Sequence, residues 1–156
     1  MRSSGESGRN TTGVGRQPAS GGELKNTAGV EAYGFVKRET LSRLFYGAAM
    51  LVQPMLADPW GQVYLEAMKA RAIVIGNNVA ALPELTENGR LGVLVDEPSA
   101  TEVAAAVLAT YARPQHELEQ IALEAQERTL RLYNWDAVAD RLLAALRGGG
   151  NLKQVS

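Results

Sequence analysis

One short run constrains the fold of this chain most strongly. Ala72-Ile-Val-Ile-Gly76 has no polar side chain, so a strand at this position needs apolar cover on both faces. Strands of this kind are typical of parallel sheets that carry helices on both sides. An amphipathic segment with helical spacing, at residues 60–69, precedes the run. Together the two segments predict an α/β fold.

The alternation of short apolar runs and longer amphipathic segments starts at Val30 and continues along the chain. It predicts strands at residues 30–36, 50–54, 72–76 and 91–95, and helices at residues 39–48, 60–69, 99–112, 114–133 and 135–146. Two helices have predicted N-terminal caps, because Ser99 lies three residues before Glu102 and Asn134 precedes the last helix. The connections are long enough for parallel strands joined through helices.

The composition excludes several classes of protein. The chain has 156 residues, with 16 Lys and Arg against 17 Asp and Glu, so there is room for one domain and no basic surface for nucleic acid. Cysteine is absent and His116 is the only histidine, which excludes disulfides, thiolate metal sites and multi-histidine metal sites. No apolar stretch is long enough to cross a membrane. We expect a cytoplasmic protein without a transmembrane segment.

The two ends of the chain differ from its middle. Residues 1–29 contain 7 of the 16 glycines and no aromatic residue, and such a segment buries too little apolar area to offset its ordering entropy. We expect residues 1–29 to be a flexible Gly/Ser-rich segment, with most weight on residues 1–12. Three glycines stop the last helix, so residues 148–156 are expected to be a flexible tail. Residues 30–147 form the predicted domain.

The candidate site lies in residues 51–68. This segment contains a buried strand, a loop that ends in Asp58-Pro-Trp-Gly61, and a helix that starts at the carboxyl edge of the sheet. Open α/β sheets bind ligands at that edge. The first backbone amides of the helix are suited to bind an anion, and Gly61 has no side chain to obstruct it. These amides belong to Trp60, Gly61, Gln62 and Val63.

Two carboxylates flank this helix start. Asp58 precedes it and Glu66 lies in its second turn. Asp58 is either a ligand-binding group or an ordinary N-cap or turn residue. Glu66 either faces solvent or, because its neighbours are mostly apolar, is a buried carboxylate that needs a partner.

The motifs in this region resemble those of the retaining glycosyltransferases of the GT-B fold. Asp58 and Glu66 are separated by seven residues, as are the two acidic residues of that family, and Trp60-Gly61 and Leu65-Glu66-Ala67-Met68 match its pattern. Further matches occur before and after this region, in the same order as in the family. They are Tyr33-Gly-Phe-Val36, Leu82-Pro-Glu84, Gly92-Val-Leu-Val95 and Asn134-Trp-Asp136. The resemblance implies a partial Rossmann-like parallel sheet with helices on both faces, as an incomplete GT-B C-terminal domain that lacks its first strand or strands.

The resemblance also implies a function for particular residues. Glu66 would hold the ribose hydroxyls of a nucleotide diphosphate sugar, and Asp58 would contact the hydroxyls of its sugar. The residues Trp60, Gly61, Gln62 and Val63 would lie along the sugar and diphosphate, and Phe35 and Val36 would lie near the base. The family needs no metal, so the resemblance implies no metal or other cofactor, and it implies a nucleotide diphosphate sugar as the donor substrate.

Several departures from the family pattern limit this expectation. Asp58 is one methylene shorter than the usual glutamate, and Arg71 and Ile73 stand where the family commonly has glycine and proline. The acceptor-binding N-terminal domain has no counterpart in the sequence, and the basic segment that neutralises the diphosphate has no good counterpart before residue 30. Gly13-Val-Gly-Arg16 matches part of that segment, but residues 15–25 match the family's next motif about as well, and either assignment leaves one needed segment missing. We therefore expect weak binding of the nucleotide sugar and no transfer by this chain alone. Its protein partner would be the missing N-terminal domain or another chain.

A second function stays open on the sequence alone. The chain would then be a non-catalytic interaction module or subunit that pairs its exposed sheet edge with a partner.

Residues outside the site have simpler expected roles. His116 is predicted at the surface, Trp135 in the core, and Glu124 in an ion pair with Arg128 one helical turn away. Glu84 is predicted either to cap a turn or to reach the nucleotide sugar.

Overall fold

A computed structural model describes residues 11–14, 28–54, 61–97 and 99–147. The chain divides into two compact units, residues 1–44 and residues 45–156. Five strands and six helices are assigned within the described residues. None of these described helices is both long enough and apolar enough to cross a bilayer.

The first unit contains a two-stranded parallel sheet. Strand β1 (Thr11–Val14) pairs with β2 (Val30–Tyr33), with Thr11 opposite Val30. Helix α1 (Arg38–Gly47) follows β2. The expectation of a flexible segment over residues 1–29 is corrected at residues 11–14, where three of the four residues are β-branched and favour a strand. Residues 1–10, 15–27 and the predicted tail at 148–156 lie outside the described part of the chain.

The second unit contains a three-stranded parallel sheet in the order β3-β4-β5. Met50 lies opposite Ile73, and Ile75 lies opposite Val93. The elements of this unit, in chain order, are β3 (Met50–Gln53), α2 (Gln62–Lys69), β4 (Ile73–Asn77), α3 (Leu82–Leu85), β5 (Val93–Val95), α4 (Ala100–Tyr111), α5 (Gln115–Leu132) and α6 (Trp135–Arg147).

Strand β4 is the centre of the core. All five of its residues are buried, and because successive strand residues point to opposite faces, both faces of the sheet are covered at β4. Helices α2 and α5 pack on each other and on β4, while α4 packs on β4 and β5. The α/β fold with a small parallel sheet, predicted from the apolar run at residues 72–76, is confirmed.

The junction between α2 and β4 depends on one residue of α5. Gln126 donates from Nε2 to the Lys69 carbonyl at 2.6 Å, and its Oε1 accepts from Arg71 Nε at 2.8 Å. Arg71 has a φ of 64°, in the left-handed region that favours glycine. The family's usual glycine at this position is therefore replaced by a strained arginine whose side chain is held by α5.

Both predicted helix caps are present. The Glu102 amide donates to Ser99 Oγ at 3.2 Å, and the Ala137 amide donates to Asn134 Oδ1 at 2.7 Å. Differences lie at the ends of elements: α2 begins at Gln62 rather than at Trp60, and the turn at Leu82–Glu84 is part of the short helix α3.

Two predictions about surface and core are wrong. Trp135 is 87% exposed rather than buried in the core. Glu124 pairs with Arg90, and Arg128 pairs with Glu87 at 3.1 Å, so the predicted pair within α5 is absent. Both partners, Glu87 and Arg90, come from the loop after α3. The sequence of α5 alone does not show that these residues compete with the pair within the helix. His116 is exposed, as predicted.

Candidate functional site

The carboxyl edge of the three-stranded sheet is the candidate site. The strands are parallel, so their ends at Gln53, Asn77 and Val95 meet at one edge. Helices α2 and α4 follow β3 and β5 in the chain, so their first turns begin on the side of this edge. The edge therefore brings together strand ends and helix N-termini, the groups that hold anionic ligands in α/β proteins.

Gly61 sets the start of α2. It occupies the N-cap position with φ 60° and ψ 22°, in the left-handed region. A Cβ at this position would lie 2.8 Å from Leu85 Cδ1 and 3.3 Å from the Ala81 side chain. Glycine is needed here because α3 packs against the helix start and leaves no room for a side chain. This requirement holds whether or not a ligand binds. The same contact fixes α2 against the loop that follows β4.

The first turn of α2 presents backbone amides. The Leu65 amide donates to the Gly61 carbonyl at 3.1 Å, so helical hydrogen bonding starts at Leu65 and the amides of Gln62 and Val63 come before it. Gln62 is exposed and Val63 is half-buried. The partial positive charge of a helix N-terminus adds to these two donors.

Glu66 lies on the exposed side of α2. Its side chain is solvent-exposed, like that of Gln62 four residues earlier, and residues four apart lie on one face of a helix. Of the two readings that the sequence left open, the exposed carboxylate is the one observed. A carboxylate in this position is available to accept hydrogen bonds from a ligand at the edge.

Tyr64 joins α2 to the end of β3. Its hydroxyl donates to the Gln53 carbonyl at 2.7 Å, and the residue is 4% exposed. A Cβ at Gly76 would lie 2.7 Å from this hydroxyl and 2.8 Å from Leu82 Cδ2. The ring therefore passes over the end of β4 only because residue 76 is glycine. The hydrogen bond from Tyr64 and the missing side chain at Gly76 together fix the distance between the start of α2 and the sheet edge.

The end of β4 and the loop after it contain polar groups and a strained residue. Asn77 is 3% exposed, and its buried Oδ1 has no hydrogen-bond partner among the described residues. Asn78 Nδ2 donates to Asp96 Oδ1 at 2.8 Å, which joins this loop to the one after β5. Ala80 has a φ of 54°, a left-handed conformation that is costly for a residue with a Cβ.

Glu84 makes contacts away from the helix start. Its Oε1 accepts from the Tyr133 hydroxyl at 3.3 Å, and Arg128 Nη2 donates to its backbone carbonyl at 3.4 Å. Burial, reinforced by the charge of Glu84, raises the pKa of Tyr133 above its usual value. Glu84 therefore anchors α3 to the end of α5.

Among the described residues, no group of three or more histidine, aspartate and glutamate side chains is placed to hold a metal ion.

Comparison with known proteins assigns the family. The family model described as "Glycosyl transferases group 1" matches residues 9–113, which is more than half of the chain. The chain belongs to this family. The match confirms the GT-B resemblance predicted from the motifs, and it begins ahead of β1, in the segment predicted to precede the domain.

Individual relatives and a solved structure agree with this assignment. The chain is 31% identical over 116 residues to alpha-maltose-1-phosphate synthase of Mycolicibacterium smegmatis, covering 70% of this chain and 29% of the relative. It is 30% identical over 106 residues to an uncharacterized glycosyltransferase of Methanocaldococcus jannaschii, covering 68% and 27%. The fold is similar to sucrose-phosphate synthase from Thermosynechococcus elongatus, with a TM-score of 0.72, 25% identity, and coverage of 88% and 37%.

The group 1 glycosyltransferase chain spans less than a third of these two curated relatives. Of its predicted site residues, Gly61, Gln62, Val63 and Glu66 lie together on α2 in the second unit. Phe35 and Val36 follow β2 in the first unit, with Phe35 fully exposed and Val36 half-buried. Asp58 and Trp60 lie outside the described residues.

Sequence reasoning missed the role of Tyr64. Tyr64 lies in the helix predicted at residues 60–69, but nothing in the sequence showed that its hydroxyl reaches β3. Gly76 carried the available signal, since a glycine at the end of an otherwise β-branched strand often marks a close approach.

Proposed function

We propose that this chain is the nucleotide-sugar-binding part of a retaining GT-B glycosyltransferase, and that it binds a nucleotide diphosphate sugar at the carboxyl edge of the β3-β4-β5 sheet. The observation that carries the proposal is the start of α2, where Gly61 opens a helix whose first amides lie at that edge. The family membership supports glycosyl transfer as the reaction.

The proposed chemistry depends on the diphosphate. In transfer, the bond between the sugar C1 and the diphosphate breaks, the nucleoside diphosphate leaves with the bonding electrons, and an acceptor hydroxyl forms the new glycosidic bond and loses its proton. Negative charge grows on the diphosphate oxygens during this step, so donors already aimed at them lower the barrier. The amides of Gln62 and Val63 and the N-terminus of α2 are the proposed donors.

Glu66 is proposed to accept hydrogen bonds from the ribose hydroxyls. Its carboxylate is exposed and lies one turn beyond the proposed diphosphate site, on the same face as Gln62. The α2 start, the ribose and the base would then follow one another along the edge. Asp58, Trp60, Phe35 and Val36 keep the roles that the family resemblance implies, as parts of the proposal.

We further propose that the chain alone does not complete transfer. A helix N-terminus and one carboxylate supply a few hydrogen bonds of about 1.5–3 kcal/mol each, against an association cost of at least about 4 kcal/mol. Binding near millimolar is the expected result. The acceptor would be bound by a domain that corresponds to the rest of the relatives' length.

An NMR titration of the labelled full chain tests the binding proposal. Adding UDP-, GDP- and ADP-sugars to millimolar concentration should shift the amides of Gln62 and Val63, and the shifts should saturate for one base. Glu66→Ala should weaken that response about tenfold or more, because charged hydrogen bonds are lost. Glu119→Ala, which removes an equally exposed helical glutamate from α5, is the matched control and should leave affinity unchanged.

The alternative function makes the opposite prediction. Within the described residues β3 hydrogen-bonds to a strand on one side only, to β4, and Val52 on this strand is 38% exposed. An interaction module that pairs along β3 would be folded and indifferent to every nucleotide sugar. That outcome, with well-dispersed amide signals, would reject the nucleotide-binding proposal.

A further inference from the structure

The loop after β4, residues 78–81, is strained at one residue. Ala80 has a φ of 54°, in the left-handed region that is costly for a residue with a Cβ. The Leu82 amide donates to the Val79 carbonyl at 3.4 Å, and Ala81 has a φ of -79°. Ala80 is therefore the first central residue of a hydrogen-bonded turn, at a position where type II′ turns have glycine. An alanine keeps this conformation only where the surrounding structure holds it.

One side-chain hydrogen bond joins this loop to the end of β5. Asn78 has the only polar side chain of residues 78–81, and its Nδ2 donates to Asp96 Oδ1 at 2.8 Å. The Asn78 amide also donates to the Val95 carbonyl at 3.0 Å. A hydrogen bond to a charged acceptor is stronger than one between neutral groups. Asp96 therefore holds the loop through its first residue.

The other end of the loop packs against the start of α2. A Cβ at Gly61 would lie 3.3 Å from the Ala81 Cβ, and a Cβ at Gly76 would lie 2.8 Å from Leu82 Cδ2. Leu82 is 2% exposed, so the chain after the loop is anchored in the core. A change in the backbone at Ala80 moves Ala81, and the space beside Gly61 changes with it. The conformation of the loop therefore affects the position of the first turn of α2.

We propose that Asp96 is a positioning residue for the nucleotide-sugar site at the start of α2, and that it acts through Asn78 by holding Ala80 in its strained conformation. This role rests on the proposed function of that site. Without the hydrogen bond, Ala80 relaxes out of the left-handed region and Ala81 moves away from Gly61. Only molecules with the loop in place bind the ligand tightly, so the apparent affinity falls with their fraction.

A titration of the labelled full chain with UDP-, GDP- and ADP-glucose, followed at the amide of Gln62, tests the effect on binding. Asp96 is exposed, so its variants are expected to fold. Asp96→Ala should weaken the affinity about three- to tenfold, because the charged hydrogen bond is lost. Asp96→Asn keeps an oxygen that accepts from Asn78 and should bind within about twofold of wild type. Glu97→Ala removes the neighbouring exposed carboxylate and is the matched control, which should leave the affinity unchanged.

A second substitution tests the link to the strain at Ala80. Glycine adopts a positive φ without the penalty that a Cβ imposes, so Ala80→Gly removes the need for the hydrogen bond. On this background Asp96→Ala should weaken the affinity less than about twofold. A direct contact between Asp96 and the ligand predicts a different result, because its loss would cost the same on both backgrounds.

The free chain gives a readout that does not depend on a ligand. The Leu82 amide is protected by its hydrogen bond to the Val79 carbonyl, so its hydrogen exchange rises with the fraction of molecules in which the loop is open. Asp96→Ala should speed this exchange about three- to tenfold and shift the Gly61 amide signal. Asp96→Asn and Glu97→Ala should do neither. If these effects are present while no nucleotide sugar binds to the wild type, the proposed function fails and the role of Asp96 in holding the loop stands.

Any one of three results would overturn the proposal. One is an Asp96→Ala variant whose Leu82 exchange or nucleotide-sugar affinity equals that of the wild type. Another is an Asp96→Ala variant that loses affinity equally on the Ala80→Gly background, which would place Asp96 in contact with the ligand. The last is a Glu97→Ala variant that loses as much affinity as Asp96→Ala, because the loss of charge alone would then explain the effect.

Discussion

Strand β4 and helix α6 are both apolar elements of the same unit, and their surroundings differ completely. Every residue of β4 is buried, whereas no residue of α6 is. The cover for β4 comes from α2, α4 and α5 of the same chain. Within the described residues nothing equivalent lies over α6. An apolar pattern thus specifies which face has to be covered, but it does not say whether the same chain supplies the cover.

The largest expected effect comes from truncating one apolar residue in each element. Ile75→Ala in β4 should lower the free energy of unfolding by about 2–5 kcal/mol, because Ile75 is 1% exposed and its removal leaves a cavity. Leu142→Ala in α6 should change it by no more than about 0.5 kcal/mol, because Leu142 is 60% exposed and its truncation leaves no cavity. Urea denaturation at low micromolar concentration measures both.

This contrast would break if Leu142→Ala were also strongly destabilising at low concentration. Part of the chain would then cover the apolar side chains of α6. If Leu142→Ala left the free energy of unfolding unchanged, the contrast would be sharper, because Leu142 would then contribute no packing to the unit.

A smaller effect is expected where β4 meets the candidate site. Gly76→Ala places a methyl group 2.7 Å from the Tyr64 hydroxyl and 3.1 Å from the Gln53 carbonyl. Such overpacking should cost about 1–3 kcal/mol. It should also displace the start of α2 and so weaken any nucleotide-sugar response at Gln62. Thermal unfolding and the amide titration measure the two effects separately.

Gly47→Ala is the control for this substitution. A Cβ at Gly47 would have no atom within 4 Å, and alanine is the better helix former. Stability should stay within about 0.5 kcal/mol of wild type. If Gly76→Ala were equally silent, Tyr64 would be free to move aside and could not be fixing the height of α2.

The same contrast explains how much of this molecule the sequence predicted. The run at residues 72–76 predicted β4 because its burial follows from composition alone, and the Ser99 cap was predictable because its partner lies three residues away. Trp135 was assigned to the core because its residue type is usually buried, yet it is 87% exposed on α6, and no local pattern shows which residues pack on that helix. Accuracy therefore fell wherever the deciding contact was distant in the chain.

The candidate site shows the same limit. The residues Gly61, Gln62, Val63 and Glu66 were predicted from motifs that lie within six residues of one another. The contacts that hold their helix in place, from Tyr64 to β3 and from Leu85 to Gly61, join segments that are 11 and 24 residues apart. The sequence showed which residue types occupy the candidate site. It did not show the contacts between distant segments that position α2.

The smallest expected effect concerns the charged cluster beside α5, which consists of Glu87, Arg90 and Glu124. Like α6, and unlike β4, this cluster is exposed to solvent. Arg90 contacts both Glu87 and Glu124, and these hydrogen bonds lower the pKa of each carboxyl below its usual value. A lowered folded-state pKa means that the cluster stabilises the fold above the unfolded value of about 4.5 and loses this contribution as pH falls through the lower folded-state values. Exposure and salt screening keep the effect small.

Arg90→Gln isolates the cluster from the rest of the fold. The variant should melt slightly below wild type at pH 7, and the two melting temperatures should converge as the pH falls below the folded-state pKa values of Glu87 and Glu124. Added salt at pH 7 should reduce the difference as well. A difference that persisted at low pH would show that Arg90 stabilises the fold through the packing of its aliphatic stem rather than its charge. The loop after α3 would then be stabilised by packing, as β4 is, and not by its charges.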